Sequence, residues 1–274
     1  MLPRNDPVPR VPMSGCAEAA DDRQLRLSDV YLLLVRLLLG YVFVSAGLAK
    51  ITKGQFGGLI GPPTAAFSPG LESVWPFLAL SQVAIGALVL SGRWALLGLL
   101  ALAPMNAGIL AYTLANHWSG TTYVNALLLL LNVTALVAEW RSLRFFLLPE
   151  ALPSAAPRMV QLSPGRRLPL LVLTLLIAAS AAGLGGSAGV LVCSGLGASG
   201  IAVAWVHGLR VRGLSTLERA ALALTGVAVV WLSTAPVINR QSAPAAMLLG
   251  LTSGVVAVVL VTIRRGWIRT RRAD

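Results

Sequence analysis

The chain of 274 residues is 56% hydrophobic and only 12% charged, with a mean hydropathy of +0.78 and a formal net charge of +12. Soluble domains carry about twice that share of charged residues, so the composition excludes an ordinary soluble protein. The excess of arginine resembles that of a nucleic-acid-binding protein, but its distribution along the chain argues against that partner.

Residues 1–28 are polar and contain four prolines and the Asp21-Asp22 pair, without the apolar core of a signal peptide. This composition predicts a disordered cytoplasmic arm.

The following chain contains apolar stretches long enough to cross about 30 Å of hydrocarbon. Each is predicted to be a helix, because a backbone in lipid must satisfy its own hydrogen bonds. We predict eight spans, at 29–49, 73–91, 94–115, 122–140, 168–186, 188–207, 217–237 and 243–263. The fifth and sixth are so close that one broken helix or a re-entrant pair is the alternative.

The predicted fold class is therefore all-α, a polytopic membrane protein in two four-helix regions. The first region covers 29–148 and the second 168–263. A proline-rich linker at 149–167 joins them, and a basic tail follows at 264–274.

Lysine and arginine lie almost entirely on one side of this topology. Eighteen fall in the arm, the tail and the loops predicted to be cytoplasmic, whereas only Lys50, Lys53 and Arg240 fall outside and Arg36 lies within a span. This positive-inside bias places both termini in the cytoplasm of a bacterial-type inner membrane. The basic tail is then an anchor that touches anionic lipid, and no nucleic-acid partner is needed.

The first span carries five residues on one helical face, at offsets of 0, 4, 7, 11 and 14: Arg36, Gly40, Phe43, Gly47 and Lys50. Arg36 lies at a similar depth to Glu139, near the end of the fourth span. We predict that the two form an ion pair, since pairing lowers the cost of a buried charge. Snorkelling of Arg36 to the cytoplasmic interface is the alternative.

Three amides, Gln82, Asn106 and Asn132, lie near the middle of spans two, three and four. They can act as polar contacts that hold the helices together. The alternative is that they line a polar pocket for a small ligand or head group.

A second group of polar residues gathers at the predicted outer interface. A lysine, a histidine and aromatic walls suit a quinone, whose carbonyls need donors and whose tail needs an apolar slot. An interfacial belt of anchoring side chains is the alternative. The group comprises Lys50, Lys53, Glu72, Asn116, His117, Trp118, Tyr123 and Asn125, and the loop 54–70 could dip over it.

The second half contains a ladder of small residues, at Gly185, Gly189, Cys193 and Gly197. Such a ladder lets another helix approach closely and is compatible with an oligomer. Cys193 is predicted to be a packing residue. His207 and Glu218 flank a turn near water and receive no role. No Cys-x-x-Cys, paired histidines or nucleotide loop occurs, so we expect no metal and no intrinsic cofactor.

The segment from Arg36 to Lys50 resembles the first helix of the DoxX/DoxD-like membrane proteins. The likeness continues in Gly86 to Arg93 and in the apolar run from Asn125, and covers about residues 28–148. It implies a four-helix membrane domain, in some members a subunit of thiosulfate:quinone oxidoreductase or of a detoxification complex. The family often has a glutamate in its second helix, where this chain has Leu80-Ser81-Gln82.

Two function classes follow. The first is a membrane subunit of a quinone-linked redox system, which binds quinone or docks a redox partner protein. The alternative is a non-catalytic scaffold or a small-solute permease. Because the polar groups at mid-membrane are neutral amides, an ion-coupled transporter is disfavoured.

The orientation is testable by cysteine labelling in intact cells. Single cysteines placed in the 141–167 connection should be shielded from membrane-impermeant thiol reagents, because the arginines hold that segment in the cytoplasm. Labelling of that segment from outside would overturn the eight-span topology.

Overall fold

The structure is a computed structural model that describes residues 27–52, 56, 74–118, 120–147, 168–183, 186–211 and 213–238. Within those ranges the regular structure is entirely helical. The helices are α1 (Leu27–Ile51), α2 (Trp75–Leu90), α3 (Ala95–Ala115), α4 (Thr121–Ala138), α5 (Trp140–Leu147), α6 (Leu168–Gly183), α7 (Gly186–Leu209) and α8 (Thr216–Ile238).

Five of these helices, α1, α3, α4, α7 and α8, are long and apolar enough to cross a membrane. The apolar helices α2 and α6 are shorter, with 16 residues each. Length and composition therefore indicate a polytopic membrane protein, as predicted. The predicted arm, linker, eighth span and tail lie outside the described residues.

The structure changes one local prediction and decides between the alternatives of another. The fourth span does not run on through residue 140, because the helix ends at Ala138 with Glu139 as its C-cap. The chain restarts as the short amphipathic helix α5, with Leu143 buried and Arg141 and Arg144 exposed. The close fifth and sixth segments are two separate helices, α6 and α7. They fold back on each other, since Gly200 of α7 lies against Leu175 of α6.

Helix α1 occupies the centre of the structure. In its most apolar window 78% of the residues are buried, against 22% for α4 at the periphery. Asp29 in the first turn and Lys50 in the last turn complement the helix dipole. We name the two ends of the bundle the Arg36 end and the Lys50 end, after the residues of α1 that lie near them.

Glycines bring α1 and α2 into backbone contact. A Cβ added to Gly47 would lie 2.6 Å from the Ala79 carbonyl oxygen, and one added to Gly86 would lie 2.8 Å from the Val44 nitrogen. Gly40 lies against Gly86 and Leu90 in the same contact. The two glycines of the predicted stripe thus face α2 inside the protein, where any side chain would force the two backbones apart.

Helix α7 packs on a neighbouring face of α1. Gly197 lies against Leu48 and Phe56, and Gly208 lies against Leu37. Because α7 runs from the Lys50 end to the Arg36 end, it is antiparallel to α1. Phe56, which follows α1 in the chain, is fully buried in this contact.

Helix α8 begins with a capping box that sequence analysis missed. The Ser215 hydroxyl accepts a hydrogen bond from the Glu218 backbone N–H at 3.3 Å, and the Glu218 carboxylate accepts one from the Ser215 N–H at 2.9 Å. The signature Ser215-Thr-Leu-Glu218 was visible in the sequence. Sequence analysis assigned Glu218 no role, whereas in the structure it caps the start of α8.

Replacing Gly47 by Ala tests the contact between α1 and α2. The added methyl group meets backbone atoms that cannot move independently, so the free energy of unfolding should fall by about 1–3 kcal/mol. Thermal unfolding of the purified protein in detergent measures this loss.

Gly108→Ala in α3 is the matched control, because nothing lies within 4 Å of a Cβ at that position. It should leave the unfolding temperature unchanged or raise it slightly. Equal effects of the two substitutions would contradict the packing role of Gly47.

Candidate functional site

The predicted outer group separates into local contacts at the Lys50 end. The Lys50 ammonium donates to the Ala46 carbonyl at 3.3 Å and lies 5.2 Å from the centre of the Trp75 ring. This geometry combines a helix-end hydrogen bond with a cation–π contact. Lys53 and Glu72 lie outside the described residues.

The other members gather around the turn between α3 and α4. The Trp118 ring packs edge-on against Tyr112 at 5.4 Å, and the Asn116 amide donates to the Tyr112 carbonyl at 2.8 Å. His117 is exposed in a left-handed conformation with φ 52°, and Tyr123 is 78% exposed. These contacts are made within one helix connection, as the interfacial-belt interpretation expects.

Asn132 joins α4 to the backbone of α3. Its amide nitrogen donates to the Leu99 carbonyl at 3.3 Å, and its amide oxygen accepts from the Ala103 N–H at 3.0 Å. In a regular helix these two backbone groups are each other's partners. They belong to the turn just before Pro104, whose missing N–H already weakens the helix there. Asn132 is thus a structural contact between helices.

Gln82 and Asn106 behave differently from Asn132. Gln82 is 3% and Asn106 is 0% exposed, yet the Gln82 Oε1 atom and both amide atoms of Asn106 have no hydrogen-bond partner. Leaving a buried polar group unsatisfied costs about 1–3 kcal/mol. These two amides therefore do not hold the helices together by hydrogen bonds to each other or to Asn132.

Gln82 and Asn106 lie at one level of the bundle. Gly98 of α3 packs on the backbone of Val89 in α2. From that contact, Gln82 is seven residues and Asn106 eight residues toward the Lys50 end. At about 1.5 Å per residue, each amide lies about 10 to 12 Å from the contact between Gly98 and Val89, in the same direction along the bundle. The two amides are therefore at nearly the same level.

Asn125 joins this level from α4. It is 9% exposed and its Nδ2 atom has no partner. It lies two turns from Asn132, which is fixed at Leu99 and Ala103, so it falls within about 5 Å of the level of Asn106. Sequence analysis placed Asn125 at the outer interface, because residue depth alone does not show which way a side chain turns.

Asn106 and Asn125 face the interior of the first four helices, and Gln82 lies two turns from Val89 on the face of α2 that packs on α3. On α3 the buried positions Ala95, Leu99, Leu102, Asn106 and Thr113 form one stripe, and on α4 the stripe is Asn125, Leu128, Asn132 and Ala135. The remaining surface of both helices is largely exposed, so these stripes face the bundle. We call Gln82, Asn106 and Asn125 the amide layer.

The amide layer offers donors and acceptors but no charge. Asn106 Nδ2 and Asn125 Nδ2 can donate, while Gln82 Oε1 and Asn106 Oδ1 can accept. No group of His, Cys, Asp or Glu with the makings of a metal site occurs among the described residues. Such a layer suits an uncharged ligand with carbonyl or hydroxyl groups.

Arg36 and Glu139 are both buried at the Arg36 end, at 2% and 1% exposure. Glu139 caps the end of α4, and its carboxylate accepts a hydrogen bond from the Ser142 hydroxyl at 3.3 Å. Burial of both charges disfavours the snorkelling alternative for Arg36. The ion pair between them stays a prediction.

The small-residue ladder of α7 is used in part. Cys193 and Gly197 are buried, Gly189 is half-buried, and Gly185 lies outside the described residues. Gly200 and Gly208, which were not predicted, make the other close contacts of α7. Burial of the Cys193 thiol agrees with a packing residue.

No protein-family model matches the chain, and neither does any curated protein or any solved structure.

Glu139→Gln tests the predicted ion pair. If Glu139 neutralises Arg36, the substitution leaves a buried guanidinium uncompensated, and the free energy of unfolding should fall by about 3 kcal/mol. Chemical unfolding in detergent measures the loss, with Arg144→Gln at the exposed side of α5 as the control.

The double variant Arg36→Met/Glu139→Gln should lose less stability than the sum of the single variants, because the pair is removed together. Additive losses would show that the two side chains do not interact.

Proposed function

We propose that the chain is the membrane subunit of a quinone-linked redox system, of the thiosulfate, sulfur or detoxification type, and that the amide layer binds the quinone head group. The observation that supports this most directly is the set of unpartnered amide atoms in the interior of α2, α3 and α4. The resemblance of the same helices to DoxX/DoxD-like proteins supports the assignment independently.

The hydrogen-bonding pattern suits both redox states of a quinone. The two carbonyl oxygens of the oxidised head can accept from Asn106 Nδ2 and Asn125 Nδ2. The two hydroxyl groups of the reduced head can donate to Gln82 Oε1 and Asn106 Oδ1. Neutral amides therefore hold either form without a strong preference, which a subunit that exchanges quinone with the bilayer requires.

The energetics of the layer also favour binding. Unsatisfied amides destabilise the empty bundle, and a ligand that pairs with them recovers that cost on binding. Proteins commonly accept such a loss of stability at a functional site. Ordinary helix contacts would not explain it, since Asn132, one to two turns from the layer, is hydrogen-bonded through both its amide nitrogen and its amide oxygen.

The chain's part in the reaction is to bind and orient the quinone. Electrons come from a partner protein, which carries the redox centre and oxidises the donor. The proposed orientation puts both termini in the cytoplasm of a bacterial-type inner membrane.

Asn106→Leu tests the proposal with two opposite effects. Quinone affinity should fall by about tenfold or more, since one lost hydrogen bond to a buried group costs over 1 kcal/mol. The stability of the ligand-free protein should rise, because the unsatisfied amide is gone. Quenching of tryptophan fluorescence by a short-chain quinone and thermal unfolding measure the two quantities.

Asn132→Leu is the matched control, as it removes a bonded amide from the same bundle. It should lower stability by about 0.6–2 kcal/mol and change quinone affinity little. Native mass spectrometry of the purified protein should detect bound quinone. If none is bound and Asn106→Leu leaves the quenching unchanged, the quinone function is wrong and the scaffold or permease alternative takes its place.

The redox assignment has its own readout. Electron transfer from thiosulfate or sulfide to a quinone analogue, in membranes with the partner proteins present, should depend on this chain and fall in Asn106→Leu. Binding of quinone without such dependence would retain the site and refute the redox role.

A further inference from the structure

Two exposed segments at the Arg36 end carry tryptophan next to arginine. Arg93 and Trp94 belong to the turn between α2 and α3, and Trp140, Arg141 and Arg144 belong to α5. All five side chains are exposed. The amide layer and the quinone proposal use none of them.

The two segments lie on neighbouring helices at a similar level. The bonds from Asn132 to the backbone of Leu99 and Ala103 join α4 to α3. Trp94 is five residues before Leu99, and Trp140 is eight residues after Asn132. At about 1.5 Å per residue, both tryptophans lie about 8 to 12 Å beyond this contact toward the Arg36 end. We call the two segments together the arginine patch.

Contacts within the protein hold both segments in place. Gly92 has a positive φ of 71°, and the Ser91 hydroxyl accepts a hydrogen bond from the Trp94 N–H at 3.2 Å, which sets the turn between α2 and α3. In α5 the Leu143 side chain is buried, and the Leu143 N–H donates to the Glu139 carbonyl at 3.2 Å. A ligand therefore meets a backbone that is already arranged, which lowers the entropic cost of binding.

The exposed charge of the arginine patch is positive, because the nearby carboxylates are turned into the protein. Glu139 is 1% exposed and accepts from the Ser142 hydroxyl, and Glu218 is 5% exposed and caps α8. Asp29, the third carboxylate that the structure describes, is half-buried. Among the described residues of this end, the exposed charges are thus arginines.

Both segments continue into exposed apolar stripes. On α3, Leu97 and Leu100 follow Trp94 at intervals of three residues, and on α4, Val133 and Val137 precede Trp140 at intervals of four and three. Each set therefore lies on one face of its helix. From mid-bundle toward the Arg36 end, the exposed surface changes from apolar to tryptophan and then to arginine. A phospholipid has the same order of acyl chains, interfacial ester groups and phosphate, and tryptophan favours the interfacial level.

We propose that the arginine patch binds the head group of one anionic phospholipid, whose acyl chains lie along the stripes of α3 and α4. Arginine suits this ligand, because its planar guanidinium donates two parallel hydrogen bonds to one phosphate. Inorganic phosphate would meet the arginines but gain nothing from the apolar stripes. A zwitterionic phospholipid would bring its own cation among the arginines, so the patch favours a lipid with net negative charge.

Native mass spectrometry of the full chain in detergent tests the proposal, with phosphatidylglycerol as the probe. Phosphatidylethanolamine with the same acyl chains is the comparison, and it should bind more weakly. Arg93→Gln and Arg141→Gln/Arg144→Gln should each weaken binding of the first phosphatidylglycerol, by about fivefold for every arginine removed. Equal affinities of the unmodified chain for the two lipids would overturn the proposal.

Arg219→Gln is the matched control, because Arg219 is exposed at the same end of the bundle but on α8. The start of α8 lies at that end, since Leu222 and Leu37 both lie close to Gly208. The control removes the same charge and should leave binding of the first phosphatidylglycerol unchanged. A loss equal to that of Arg93→Gln would show attraction by net charge alone, and the proposed site would be wrong.

Two further measurements separate the lipid from simpler explanations. Arg141→Lys/Arg144→Lys keeps the charge but not the paired hydrogen bonds, so it should bind more tightly than the glutamine variant and more weakly than the unmodified chain. Thermal unfolding should be the same for both variants, because these side chains are exposed. Millimolar inorganic phosphate should not displace the lipid. Complete displacement would mean a phosphate site, and the lipid assignment would fail.

Discussion

Close approach of the α1 and α2 backbones is the constraint on which the rest of the structure depends. Gly40, Gly47 and Gly86 allow it, because any other residue would place a Cβ closer to backbone atoms of the facing helix than van der Waals contact permits. In lipid, where apolar surfaces gain little by meeting, this tight packing is a main source of helix association. Helix α1 is thus held against α2, and α7 packs on a neighbouring face of α1.

Polar groups inside this bundle divide into two kinds. Asn132, Trp205 and Glu218 are bonded to groups of the protein and define helix positions. The amides of Asn106 and Asn125, and the hydroxyls of Tyr41 and Ser45, are buried with unsatisfied atoms. Groups of the second kind lower stability unless something else binds them, so they mark the places where a bound ligand contributes most.

Much of the helical layout was predictable from the sequence, and the candidate site was predictable only in part. Apolar runs predicted the helices to within a few residues, and the period of the Arg36–Lys50 stripe identified one face of α1. The amides at mid-depth were recognised, but Asn132 and Asn106 could not be distinguished, since whether a buried amide has a partner depends on the neighbouring helix. Asn125 was assigned to the outer interface for the same reason.

By itself the sequence determined that the chain forms apolar helices of membrane-spanning length, because hydropathy and charge act locally along a chain. It also determined the small-residue face of α1, through periodicity. Only the tertiary structure decided that this face packs on α2, that Lys50 lies over Trp75 and that Gln82, Asn106 and Asn125 share a level. These relations join residues distant in sequence, and they depend on the rotation and register of packed helices, which no single helix encodes.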